Sequence, residues 1–192
     1  MHPAALIGIS LWRLAIVVCA LTGFWLALGG DWTSMAYLTL QSNLLTGLVY
    51  LVLLAYPLVA AGRYEPVRRW VRGALAVLMT LVSVTYLTLL SGDLSQPRDL
   101  LCHLITPLLV GLDWLVGESQ SRTPWWYPPT WLALPIGYLV FYVVNGQRLY
   151  GFLDPRDPGV VLIAGFLVAL LAVGYALYGL GKLRALIAGG PR

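Results

Sequence analysis

Six apolar stretches, each long enough to cross a bilayer as a helix, constrain this chain more than any motif in it. They run roughly over residues 6–28, 36–60, 71–90, 100–117, 130–145 and 159–180, the fourth and fifth being short. A spanning helix needs about 20 apolar residues. Lipid offers no partner to backbone N–H and C=O groups, so a spanning segment must be a helix or part of a closed barrel. The apolar/polar alternation of a barrel strand is absent. The predicted fold is an all-α integral membrane protein, one domain over residues 1–192 built as a bundle of six transmembrane helices. Composition agrees: the chain is 59% hydrophobic and only 10% charged, whereas soluble domains carry about 25% charged residues.

Short polar connections separate the stretches, among them Gly29-Gly30-Asp31, Ser91-Gly92-Asp93 and Asp154-Pro155-Arg156-Asp157-Pro158. They leave no room for a soluble domain. The first stretch lacks the charged lead and small-residue cleavage site of a signal peptide, and is expected to be a retained helix. Threading six spans puts Arg13, Arg63, Arg68, Arg69, Arg72, Arg122, Lys182, Arg184 and Arg192 on the side of both termini. Arg98, Arg148 and Arg156 fall on the other side, together with Asp31, Asp93, Asp99, Asp154 and Asp157. The positive-inside rule then places both termini in the cytoplasm, in a membrane expected to be the bacterial inner membrane. The net charge of +4 is explained by this bias, so no nucleic-acid partner is expected. Trp12, Tyr64, Trp70 and Trp125–Tyr127 fit a cytosolic aromatic belt, and Trp32, Tyr37 and Tyr150 an outer one.

Several chemistries have no footing here. No His, Cys or carboxylate cluster has metal-ligand spacing, and there is no Gly-rich phosphate loop or Gly-x-Ser-x-Gly elbow, so neither metal nor cofactor is expected. Cys19 and Cys102 lie in apolar stretches and give no disulfide framework. No internal repeat is visible, and the chain of intramembrane carboxylates typical of a proton-driven transporter is missing.

The polar residues inside the spans are informative. Thr39, Ser42, Asn43, Thr46 and Tyr50 stand at i, i+3, i+4, i+7 and i+11, so at 100° per residue they share one face of the second helix. Single Ser, Thr or Asn residues in membranes often bond to their own helix or to a neighbour, but five on one face point to a wet cavity. The fourth span carries His103, and an ionisable group within a span is by default a functional candidate. Cys102 precedes it directly, yet neighbours on a helix point about 100° apart, which argues against a Cys–His dyad. Helices two and four both start on the outer side, so Thr39 and His103 lie at similar depth. Helix three ends there with Thr85, Tyr86 and Thr88, and helix five with Asn145, Gln147 and Arg148. Thr106 follows His103 by one turn. A site in the outer leaflet is the result. Asp113 sits about 15 Å deeper, level with Arg13, and an Arg13–Asp113 ion pair fixing helix packing is expected.

Three segments in order carry a family likeness: Tyr37-Leu38-Thr39-Leu40-Gln41-Ser42-Asn43-Leu44, His103-Leu104-Ile105-Thr106-Pro107 with Asp113-Trp114, and Gly151-Phe152-Leu153-Asp154-Pro155. From Arg13 to about Asp157 the chain resembles the androgen-induced and androgen-dependent membrane protein family and its bacterial relatives. The resemblance implies a transmembrane threonine hydrolase of fatty acid esters of hydroxy fatty acids, with Thr39 as nucleophile and His103 as catalytic histidine. Animal members carry two nearby histidines where this chain has one.

On that reading His103 would take the Thr39 proton if within about 3 Å. Ser42, Asn43 or free N–H groups at the start of helix two would supply oxyanion donors, with Thr46, Tyr86, Thr106 and Asn145 lining the cavity. Arg98 or Arg148 would hold a substrate carboxylate, and Tyr86 or Asp154 would orient the histidine. The expected partners are membrane lipids and a lipid ester. The main alternative is a non-catalytic lipid-binding or membrane-organising protein using the same cavity. A small transporter ranks third, because repeats are missing and intramembrane charges are scarce.

Overall fold

A computed structural model describes residues 3–60, 70–116, 123–151 and 159–187. All six expected spans are helices, and the chain is an integral membrane protein. We label them α1 (Pro3–Leu28), α2 (Leu38–Val59), α3 (Trp70–Leu89), α4 (Pro97–Val116), α5 (Tyr127–Val144) and α6 (Gly159–Ile187). The last runs seven residues beyond the expected 180: after Gly181 the segment Lys-Leu-Arg-Ala-Leu-Ile is made of good helix formers. The Arg184 guanidinium donates to the Leu115 carbonyl at 2.7 Å.

The bundle is built around α3. From Ala74 to Met79 every side chain is at most 3% exposed, and a helix apolar and buried all round lies inside the bundle. α6 is at the other extreme: only 11% of its most apolar window is buried. Leu and Val side chains on the outside of α1, α2 and α6 are left exposed, which is the face a bilayer solvates.

Small residues set the closest approaches, as they do in membrane bundles, where packing rather than hydrophobicity joins helices. Gly47 of α2 lies against Leu21 of α1, and Gly73 of α3 lies against the Trp131 ring of α5. A Cβ at either position would overlap its neighbour.

Two stretches depart from α geometry, both toward the side read as outer. Thr85–Leu89 ends α3 and Leu101–Ile105 lies near the start of α4, each wound as a π-helix. Wide turns of this kind recur at functional sites. The second has a local cause. Pro107 has no N–H to give the His103 carbonyl and its ring crowds that group, so the turn ahead of it opens.

Candidate functional site

The polar stripe of α2 faces inward. Thr39 at its outer end is half-buried, whereas Ser42, Asn43, Thr46 and Tyr50 are at most 1% exposed. Its outer end meets α4: Thr39 Oγ1 and His103 Nε2 are 3.2 Å apart. His103 Nδ1 lies 3.1 Å from the Asp99 carbonyl. A carbonyl only accepts, so Nδ1 carries the proton, and in the neutral ring Nε2 accepts from the Thr39 hydroxyl. The opposite tautomer would leave two acceptors facing each other at Asp99.

Tyr86 lies flat on the imidazole, with ring centroids 3.5 Å apart and planes 7° from parallel. Both π-helical turns deliver these rings. Beyond α3, Ser91 adopts a positive φ of 49°, and Gly92 follows where a Cβ would overlap the Tyr86 ring. The Tyr86 hydroxyl then donates to the Asp93 carbonyl at 3.0 Å, locking the stack from the far side. Asp93 itself caps the next turn: the Ser95 hydroxyl and N–H hold its carboxyl below the usual carboxylate range.

A cavity of about 70 Å³ opens beside Thr39 and Tyr86 between α2, α3, α5 and α6. Its walls are mainly aliphatic and aromatic, among them Leu81, Leu139, Phe166 and Leu170. Polar atoms come from Thr39, Thr85, Tyr86, Tyr138 and Tyr150. Most are already engaged. Tyr138 donates to the Ala36 carbonyl at 2.9 Å, and the Tyr150 hydroxyl accepts the Leu38 N–H at 3.3 Å. The Tyr142 hydroxyl lies 3.0 Å from the Tyr150 N and 3.3 Å from its carbonyl. Burial pushes the Tyr150 hydroxyl's pKa up. Tyr150, expected in an outer aromatic belt, is therefore an interior residue. It fastens the loop after α5 onto the start of α2.

Other expected members fall elsewhere. Asn145 is exposed and donates to the Phe141 carbonyl at 2.8 Å. Arg148 is exposed, and Arg98, 56% exposed, faces Asp99 at 3.4 Å. Thr88 bonds back to Val84. Thr106 is fully buried one turn below His103. Asp154 lies outside the described residues, as do Tyr64, the loop charges Arg63, Arg68, Arg69, Arg122, Arg156 and Asp157, and Arg192.

Below the stripe lies a second polar cluster. Asp113 Oδ2 receives Arg72 Nε and the Tyr50 hydroxyl, each at 2.7 Å, and Arg72 Nη2 donates to the Asp113 carbonyl. Arg13 is also buried, its Nη1 donating to the Leu53 carbonyl at 2.8 Å. Arg72, counted among the residues of the cytosolic side, is 2% exposed and lies inside the bundle. The sequence signal was its position inside the Val71–Leu90 apolar run, where a charge needs a buried partner.

Ser42 and Asn43, expected as oxyanion donors, do not line the cavity. Asn43 is fully buried with its amide nitrogen on the Thr39 carbonyl at 2.9 Å. Ser42 is buried beside it, and the first N–H of α2 is taken by Tyr150.

No protein-family model matches the chain, and no solved structure does. Among curated proteins it is similar to the inner membrane transport permease YadH of Escherichia coli strain K12, 32% identical over 109 residues. That alignment covers 57% of this chain and 41% of the permease. The same values hold for YadH of Escherichia coli O157:H7 and of Shigella flexneri. The aligned part thus spans well under half the length of these relatives.

Six apolar helices together with this likeness identify an integral protein of the inner membrane. The match overturns the expected lipid ester hydrolase. The proteins it reaches are named as transport permeases, and none of these matches is a hydrolase. The alternative of a passive lipid-binding or membrane-organising protein gains nothing from them.

Proposed function

We propose that this chain is a transport unit of the inner membrane that passes an amphiphilic solute. The similarity to the YadH permeases over more than half of the chain carries the reading. The cavity supplies the solute class. Its aliphatic walls would hold an apolar body, while Thr39 and Tyr86 offer hydrogen-bonding capacity to a polar head. Pockets of this composition bind by apolar burial and take orientation from a few polar groups. A strongly charged ion finds no counter-charge among the described lining residues.

Thr39 has a defined part in this reading. With its proton directed at His103 Nε2, its oxygen keeps lone pairs for a donor on the solute. Tyr86, held over the imidazole, limits how the head can approach.

The test is flux in proteoliposomes loaded with a fluorescent short-chain amphiphile. Exchange across the bilayer should exceed that of protein-free vesicles and fall at least tenfold when Leu139→Trp fills the cavity. Wild-type flux equal to that of empty vesicles, or flux indifferent to Leu139→Trp in a folded protein, would sink the reading.

A further inference from the structure

Between Thr39 and Tyr50 the interior contains polar atoms that no protein group satisfies. Ser42 Oγ, Asn43 Oδ1, Thr46 Oγ1, Thr85 Oγ1 and Thr106 Oγ1 are buried without a hydrogen-bond partner in the protein. All five side chains are at least nine-tenths buried. Native interiors leave few such groups unpaired. A helical Ser or Thr has an easy escape, bonding back to the carbonyl four residues earlier. Thr80 and Thr88 take it, at 2.7 Å each. These five atoms have no such bond.

Their placement is not scattered. α2 and α4 both run inward from the outer side and are joined at two levels, by Thr39–His103 above and Tyr50–Asp113 below. Eleven residues separate the two levels on α2 and ten on α4, so the segments rise about 15–17 Å. Ser42, Asn43, Thr46 and Thr106 lie between those levels, and Thr85 of α3 lines the cavity with Thr39.

We propose that a file of internal water molecules occupies this seam between α2, α3 and α4, joining the Thr39–His103 pair to the Tyr50–Asp113–Arg72 cluster. Oxygens in a hydrogen-bonded chain are about 2.8 Å apart, so a gap of about 15 Å takes roughly four or five waters. That is within the usual allowance of about one buried water per 27 residues. Each water meets a hydroxyl, which donates one bond and accepts two, or the Asn43 carbonyl oxygen, which accepts two.

Isosteric Thr→Val replacement decides between wet and dry. In a wet seam the hydroxyl has partners to lose, so Thr46→Val and Thr106→Val should each lower the Tm of the purified protein by about 2–4 °C. Thr46→Ser, which keeps the hydroxyl, should recover most of the loss. Thr80→Val, whose hydroxyl serves only its own helix, should change little. In a dry seam Thr46→Val and Thr106→Val would relieve an unpaired group and raise the Tm, and this would overturn the proposal.

Hydroxyl-radical footprinting gives a second readout on the intact protein. Tyr50 is fully buried, so its oxidation requires water inside. We expect it to be labelled in the wild type and at least twofold less in Thr46→Val. An unlabelled Tyr50 counts against the water file whatever the melting data show.

Discussion

The two ends of the α2–α4 seam hold similar residue types in opposite conditions. At the inner end, Arg72, Asp113 and Tyr50 close on one another, with both charges nearly excluded from solvent. At the outer end, Thr39, His103 and Tyr86 leave a hydroxyl and a ring edge beside a cavity. The inner cluster satisfies itself, so its chemistry is spent on holding helices together. The outer one keeps unused hydrogen-bonding capacity on a surface that a small molecule can reach. Polar residues within a membrane are therefore not equivalent markers of function: what counts is whether their capacity is already used.

The strongest test of that contrast is at the inner end. Asp113→Ala strands a buried guanidinium, and breaking such a pair costs about 3–5 kcal/mol. A fall in Tm large enough to prevent purification at ordinary temperature is expected. The double replacement Arg72→Met with Asp113→Leu should recover much of it, because apolar pairs of similar volume often replace buried ion pairs at little cost. A double variant as unstable as Asp113→Ala would show that the cluster does more than pair charges.

A smaller loss is expected from the dry packing that flanks the seam. Gly73→Ala pushes a methyl into the Trp131 ring, and overpacking of this kind costs about 1–3 kcal/mol. Thermal unfolding measures it. Gly111→Ala, where a Cβ meets nothing within 4 Å, is the matched control and should be neutral.

At the outer end the order of effects reverses. His103→Leu should leave the Tm within a few degrees of wild type while cutting amphiphile flux by about tenfold, the weight of roughly 1.4 kcal/mol. Loss of stability without change in flux would make the outer pair structural, like the inner one, and erase the contrast.

The smallest effect is at the surface turn leading into α2. The Thr33 hydroxyl and N–H hold the Asp31 carboxyl below its ordinary pKa. A depressed folded-state pKa contributes stability above the ordinary carboxylate range, lost as pH falls through the folded value. Acidification below about pH 3.8 should move the Thr33 amide resonance while leaving global unfolding nearly unchanged. A shift already complete above that pH would contradict the assigned cap.

How much of this was legible in the residues varies with range. The stripe from Thr39 to Tyr50 was readable because helical periodicity fixes which side chains share a face. The level match of Thr39 and His103 followed from topology and a constant rise per residue. The Arg72–Asp113 bond was not legible, because the side of the membrane on which a charge falls does not say which way its helix is turned. Tyr150 was misplaced because its position depends on how the loop after α5 folds back, which no periodicity encodes.

The sequence alone determined the class and the number of spans, because the bilayer imposes length and apolarity locally, one segment at a time. Only the tertiary structure decided which polar groups are paired and which are left with capacity. Rotation of each helix about its axis is set by contacts with its neighbours. Gly47 against Leu21, Gly73 against Trp131 and the two π turns at Thr85 and Leu101 fix those rotations to within the reach of a hydrogen bond.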